Sequence, residues 1–377
     1  MAEIEDTPER SAHHEKAFFA LLRLSAGGSP AEEVVLDDRG WQAVFRLAMQ
    51  QALLAVVLDG VERLPAGQKP PRSLLIPWIG YVQHIEQCNR RLNSTVAGVC
   101  RRLEQDGVRC VVLKGQGNAV LYPRPLHRMA GDLDLWVEGG REAVLKYVRR
   151  HCRPAEVVYH HVDFPVLKDT EIELHFTPSW MNNWLLNRRL QRYFRQSLPR
   201  QLANRVDLPE DAGRIPVPTP DFNHVYLLLH IYRHLFDEGV GLRQLLDYYY
   251  LLRRSCSAEE KENALRMLRR LHLTRFASAV MYVLQQVFGL GDDCLLVPPS
   301  RSCGARLLDE IMLAGNFGQY DRRIVRRQHE TARQRFCRKV LRNFSFLWDY
   351  PGEVLCSPLF KAWHYLWRLR HGYLPRK

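Results

Sequence analysis

Apolar residues recur every three or four positions through most of the first ninety residues. EKAFFALLRLSA and DRGWQAVFRLAMQQALLAVVLDGVERL both carry this spacing, which predicts amphipathic helices. KPPR near residue 70 interrupts the pattern, and NRRLNSTVAGVCRRLEQDG resumes it up to Gly107, a glycine placed to end a helix. The texture then changes. VRCVVLKG (108–115) is a short β-branched run closing on glycine, as a buried strand does. GDLDLWV (131–137) predicts a second strand, REAVLKYVRRHC a helix, and AEVVYHHVDFPV and EIELHF two further strands. This order predicts helices layered on one compact sheet. PVPTP (216–220) reads as a linker, beyond which DFNHVYLLLHIYRHLF, GLRQLLDYYYLLRR, SAEEKENALRMLRRLHL and TRFASAVMYVLQQVFGL return to helical spacing. The expected fold class is α+β: a small mixed-sheet core (91–214) between an N-terminal helical region (1–90) and a C-terminal helical domain (215–377).

Composition narrows this picture. Apolar content of 46% and charged content of 25% belong to a folded globular chain. No stretch approaches the roughly 18–20 uncharged apolar residues of a membrane span. The first residues, MAEIEDTPERSAHHEK, are polar and acidic, unlike the apolar stretch of a secretory signal. Nine cysteines are scattered without a C-x-x-C pair, which argues against a disulfide framework or a zinc ribbon and favours a reducing cytoplasmic compartment. The net charge of +13 is concentrated late in the chain. Between Arg322 and Arg342, nine Arg or Lys residues face Glu330 alone. Such a block attracts RNA or another anionic partner, or else forms a solvated helix face.

The candidate chemistry begins at GDLDLWV. Strand side chains alternate, so Asp132 and Asp134 share one face while Leu133, Leu135 and Val137 take the other. Buried carboxylates are costly unless paired or metal-bound, which points the acidic face into a cleft. Two hard oxygen donors at this spacing suit Mg²⁺, and the competing reading is an edge strand with a wet face. Upstream, VVLKG runs into Lys114-Gly115-Gln116-Gly117. A glycine turn at a helix start can offer N–H groups to a phosphate, with Lys114 adding charge; the alternative is an ordinary surface turn. Downstream, Glu171 and Glu173 share a face of TEIELHF. Glu173, flanked by Ile172 and Leu174, is the stronger third carboxylate for a metal or base role, and Glu171 the more solvated.

Taken in order, LKG, YP, R, GDLDLWV and IELH resemble the DNA polymerase β-type nucleotidyltransferase superfamily. More closely, they resemble a bacterial group of uncharacterised nucleotidyltransferases with L-K-G, R-x-x-x-D-x-D and an apolar-Glu-apolar-His strand. The resemblance covers residues 90–200 and extends more loosely past 220. It implies that Asp132 and Asp134 hold metal, Mg²⁺ or Mn²⁺, and that Glu173 joins them as third carboxylate and helps activate the attacking hydroxyl. It also puts Gly115 and Gly117 at the phosphate turn, with Lys114 and Gln116 beside them, and Arg128 against the triphosphate. Gln116 stands where the superfamily usually has Ser or Thr. The group's H…H…LR…LD arrangement brings His234 and Arg243 toward the nucleotide. The implied activity moves a nucleoside monophosphate from an NTP, ATP foremost, to a hydroxyl of a small molecule, a peptide or protein, or RNA. The rival readings are a non-catalytic RNA-binding or interaction protein retaining the fold, and a nucleotidyltransferase toxin of a toxin–antitoxin pair.

Four further features carry expectations. His230 and His234 stand four apart on one helix, but no H-E-x-x-H glutamate accompanies them. Arg243 and Asp247 have the spacing of an i,i+4 ion pair. In HHVDF, neighbouring strand residues should diverge, which separates His160 from His161 and weighs against zinc shared with Asp163; His175 shares the face of Glu173 as a supporting contact. In LFKAWHYLWRL, the stripe Leu359, Trp363, Leu366 and Trp367 predicts core packing.

Overall fold

A computed structural model describes residues 8–28, 34–153, 156–254, 256–321 and 332–373. The predicted periodicity is realised in α1 (Pro8–Ser25), α2 (Asp38–Gln50) and α3 (Leu54–Glu62). Asp37 caps α2, accepting the Gly40 N–H at 2.7 Å. α4 (Arg72–Gln105) starts directly after Pro71, where KPPR broke the pattern, and ends at Gly107, whose φ of +75° stops the helix.

The sheet region follows as β1 (Cys110–Val112), the one-turn α5 (Gln116–Ala119), β2 (Leu133–Val137), α6 (Gly140–His151), β3 (His161–Asp163) and β4 (Ile172–His175). Strand order is β1-β2-β4-β3, with β2 and β4 parallel and the outer pairs antiparallel. The architecture is α+β, a small mixed sheet within a mostly helical chain. Alternation sorts β2 as expected. Leu133, Leu135 and Val137 pack with Ile172 and Leu174 into a core that includes Val96 and Cys100 of α4 and Val148 of α6. Trp136 faces the other way, stacking 5.7 Å from Phe222, and Asp134 shares its face.

AEVVYHHVDFPV does not form the single strand expected of it. The chain folds back, pairing Val157 with Val162, and the Asp163 N–H donates to the Glu156 carbonyl at 3.0 Å. Tyr159 and His160 form the tip, so strand alternation no longer separates His160 from His161, and their rings lie 4.4 Å apart. Tyr159 packs edge-on against Phe360 and Trp363, which supports a turn that no Gly or Asn announces.

After α7 (Trp184–Ala203) and the hairpin of β5 (Arg205–Asp207) and β6 (Arg214–Pro216) comes α8 (Pro220–Asp237). The segment expected as a linker is packed instead. Asn204 donates to the Val217 carbonyl at 2.9 Å, the Thr219 N–H donates to Gln201 Oε1 at 2.7 Å, and Pro220 opens α8. Its prolines end a strand and start a helix rather than tethering domains. α9 (Leu242–Arg253), α10 (Ala258–Arg270), α11 (Thr274–Phe288) and α12 (Arg301–Ala314) continue the chain. One apolar core joins Phe18, Trp41 and Val57 to Phe222, Leu245 and Phe276, so early and late helices share an interior.

Two helices remain, α13 (Ala332–Phe344) and α14 (Pro351–Arg370). Residues 322–331 of the basic segment, including Arg326 and Arg327, lie outside the described residues. α14 corrects the packing expected of its stripe. Leu359 is 73% exposed and Leu366 62%, with Trp363 exposed beside them. The inward face mixes apolar and charged groups: Val354 is buried, Phe360 meets Tyr159, and Glu353 pairs with Arg233 at 2.7 Å, Lys361 with Asp237 at 3.3 Å and Arg368 with Glu156 at 2.7 Å. Ion pairs join these apolar contacts in turning the expected stripe outward. Among the described residues, no helix is long and apolar enough to cross a membrane.

His127, in the turn before Arg128, ties this framework together. It is 2.9 Å from Asp59 of α3 and 2.9 Å from Glu86 of α4. Burial depresses its pKa, but the two carboxylates outweigh burial and hold it above the ordinary histidine value. The native state therefore binds this proton more tightly than the unfolded chain. The resulting stability is fully present below about pH 6.5 and is lost as pH rises through the raised folded value. His127→Gln is expected to destabilise most near about pH 6 and least near about pH 9, measured by urea denaturation. A cost that does not change with pH would rule out the imidazolium as the link.

Candidate active site

Register sets the site. β2 and β4 run parallel with Asp134 directly opposite Glu173, and Asp132 immediately precedes β2. These carboxylates line a cleft of about 740 Å³ together with Lys114, His175 and Arg243. Asp134 is 2% exposed, and its two oxygens are engaged separately. Lys114 Nζ lies 2.8 Å from Oδ2, and His175 Nε2 lies 2.8 Å from Oδ1. Burial alone would push this carboxyl up, but Lys114 and His175 outweigh it and hold it below the usual carboxylate range. The reciprocal effect raises Lys114 above the ordinary lysine value despite its burial, through Asp134 and then Asp132. His175 is held up at about 9, because burial is overcome by hydrogen bonds to Asp134 and Glu173.

Asp132 behaves differently. The charge of Asp134 pushes its pKa up, opposed by Lys114. A like charge beside it disfavours the ionised form. Glu173 Oε2 is 3.0 Å from His161 Nδ1 and 3.2 Å from His175 Nε2. Burial opposes ionisation, yet the two imidazoles hold this carboxyl far below its ordinary value. Glu171 is exposed, as expected of it.

The phosphate-turn residues separate into two sets. Lys114 and Gly115 line the cleft, Gly115 at a φ of +57°. Gln116 turns its amide to Asn89 and Asn93 of α4, and a Cβ on Gly117 would meet Val217 Cγ1 at 2.9 Å. The Gly117 and Asn118 N–H groups donate within the turn, to the Lys114 and Gly115 carbonyls. Lys114 is engaged with Asp134 rather than open to a phosphate.

Arg128 and Asp247 overturn the expected i,i+4 pair. Arg128 Nε and Nη2 hold the two oxygens of Asp247 at 2.8 and 2.9 Å, across 119 residues. Tyr122 adds a third bond to Asp247 at 2.6 Å. Geometry explains the exchange: a buried guanidinium fork matches a carboxylate in two places, which a single i,i+4 approach does not. Arg243, released from Asp247, forms no ion pair among the described residues. Its Nη1 donates to the Met129 carbonyl at 3.2 Å and its guanidinium lies 5.4 Å from the Phe317 ring. His234 also faces the cleft, 5.1 Å from Phe317 and 4.3 Å from His230 between ring centroids.

Sequence reasoning missed Arg233 and Trp180. Arg233 lies 4.2 Å over the Trp180 ring, and Trp180 lies 4.2 Å from the His160 ring. The Arg233–Asp237 spacing signals an i,i+4 pair, which the structure forms. Nothing local signals Glu353, whose bond to Arg233 spans 120 residues.

The model of a family described as uncharacterised nucleotidyltransferase matches residues 37–289. The chain belongs to that family. The matched span of this nucleotidyltransferase family runs from the cap of α2 to the glycine that ends α11, and contains all of β1–β6. It leaves out Glu353 and the rest of α14. No curated protein matches the chain. Among solved structures, an antigenic nucleotidyltransferase-like protein from Paracoccidioides brasiliensis is similar at 12% identity, with a TM-score of 0.36 over 56% of this chain and 95% of that one.

The Arg128–Asp247 pair generates a stability test. Asp247→Leu alone is expected to cost about 3–5 kcal/mol, because Arg128 is left buried without its counter-charge. Arg128→Met combined with Asp247→Leu should cost clearly less than Asp247→Leu. Urea denaturation of the wild type, both single variants and the double variant measures the coupling. Additive costs would show that the two side chains do not depend on each other.

Proposed function

We propose that this protein is a metal-dependent nucleotidyltransferase that moves a nucleoside monophosphate from an NTP, ATP foremost, to an acceptor hydroxyl. The observation that carries this reading is the pair of Asp132, just before β2, and Asp134, within it, at the wall of a cleft that also receives Arg243. The donor set fits a hard divalent cation. Asp132 and Asp134 supply carboxylate oxygens at the cleft wall. Asp132 and Asp134 would hold Mg²⁺ or Mn²⁺, which would supply positive charge against the triphosphate.

The remaining roles belong to the chain. Lys114 keeps Asp134 ionised and fixes its orientation through Oδ2. Arg243 gives its free guanidinium edge to the triphosphate, a role that Arg128 cannot take while both its arms hold Asp247. Phe317 and His234 offer ring faces beside Arg243, suited to a nucleobase. Glu173, opposite Asp134 and kept ionised by the His161 imidazole 3.0 Å away, is the third carboxylate and accepts a hydrogen bond from the attacking hydroxyl.

Asp132 is the cleaner residue for a test, because replacing Asp134 strands Lys114 as a buried charge. With Mg²⁺, saturating ATP should raise the wild-type melting temperature, about 2.7 kcal/mol of stabilisation at a hundredfold excess over Kd. Asp132→Asn should abolish that rise while leaving the far-UV circular dichroism unchanged. Tight MgATP binding by Asp132→Asn would remove the metal assignment. Arg243→Ala should weaken MgATP binding by roughly tenfold or more, read by calorimetry. Transfer of label from α-³²P-ATP in cell lysate reads the activity itself.

A further inference from the structure

We infer that His160, His161 and His175 form a binding site for a first-row transition metal, Zn²⁺ foremost, adjacent to the Asp132–Asp134 position, with Glu173 at its edge. Two strands and a turn assemble it. His161 of β3 stands directly opposite His175 of β4, and Glu173 lies two residues before His175 on the same face. The fold-back at Tyr159–His160 adds the third imidazole from the hairpin tip. Donor atoms of the three histidines all lie within 4.8 Å of one another. His160 Nε2 is 3.1 Å from His161 Nδ1, which is 3.0 Å from Glu173 Oε2, which is 3.2 Å from His175 Nε2.

Hydrogen bonding satisfies this set only by sharing protons. His161 Nδ1 faces both His160 Nε2 and Glu173 Oε2, and a ring nitrogen carries at most one proton. His175 Nε2 likewise faces Asp134 Oδ1 and Glu173 Oε2. A cation meets several lone pairs at once. Ligands at the roughly 2.0–2.1 Å of a zinc–nitrogen bond stand about 3–3.5 Å from each other, close to the separations found here. The donor chemistry selects the ion: imidazoles suit Zn²⁺ and its first-row neighbours, whereas Mg²⁺ takes oxygens. The His160 ring is braced against Trp180 at 4.2 Å, so the third ligand is held in advance of binding.

Location gives the site its role. His160, His161, Glu173 and Trp180 line both the cleft described above and a second cavity of about 700 Å³, which extends to Lys339 and Lys361. The metal therefore stands at the junction of the two, where an acceptor entering through the second cavity would meet it. That role rests on the proposed transfer; the affinity for metal does not.

Cobalt reads the site without any nucleotide. Chelator-treated full-length protein, kept reduced, is titrated with Co²⁺ and followed by visible absorption, with elemental analysis for stoichiometry. One equivalent should bind, with the intense d–d bands of low-coordinate, nitrogen-ligated cobalt, and Zn²⁺ should displace it. His161→Ala should lose the bands and weaken Zn²⁺ binding at least tenfold. His160→Ala, at a hairpin tip, provides the same reading should His161→Ala fail to fold. Asp132→Asn should keep the bands, so loss of its MgATP response and loss of the cobalt site are separate outcomes. A weak octahedral spectrum unchanged by His160→Ala, or a thiolate charge-transfer band from cysteine, overturns the inference.

Discussion

A carboxylate on a strand buried on both faces stays ionised only when cations are brought to it, and Asp134 places that demand on the whole sheet. β2 has a neighbour on each side, and each neighbour answers the demand. Lys114 follows the end of β1 on one side, and His175 closes β4 on the other. The order β1-β2-β4 is thus also the order lysine, aspartate, histidine. A slip of one residue in either pairing would turn a cation to the opposite face and leave the carboxylate without it. Register here is specified by charge as well as by the apolar core beneath α4 and α6.

Local pattern made the framework of that arrangement legible. The alternation of GDLDLWV, the Ile172–Glu173–Leu174 sandwich and the Gly107 helix stop all act over a few residues, and all appear where the sequence places them. What escaped was decided at long range or by side-chain rotation. Arg128 finds Asp247 across 119 residues, so spacing pointed to the nearer Arg243 instead. The turn at Tyr159–His160 is held by aromatic rings from α14 rather than by turn residues, so a strand-like composition concealed a hairpin. The rotation of α14 follows its ion pairs together with buried apolar contacts outside the expected stripe.

These misses share a physical origin. Each involves a charged or aromatic group whose partner lies in another helix, and each replaces a weak local preference with a buried, geometrically specific contact. Their combined effect is to free Arg243 in the cleft and gather three histidines beside it. The chemistry of the site is therefore built more from tertiary pairing than from the motifs that first marked it.

The Arg233–Glu353 bond also bears on how the molecule is made. Chains emerge from the ribosome in order, and earlier segments fold first. Everything from α1 to α12 is available before Glu353 has been synthesised. In that interval Arg233 has Asp237 beside it and Trp180 beneath it, but one arm of its guanidinium lacks the anion that later fills it. The cleft wall on that side is completed only when α14 docks, which makes the last long helix a closing stitch in the biogenesis of the site rather than an appendage to it.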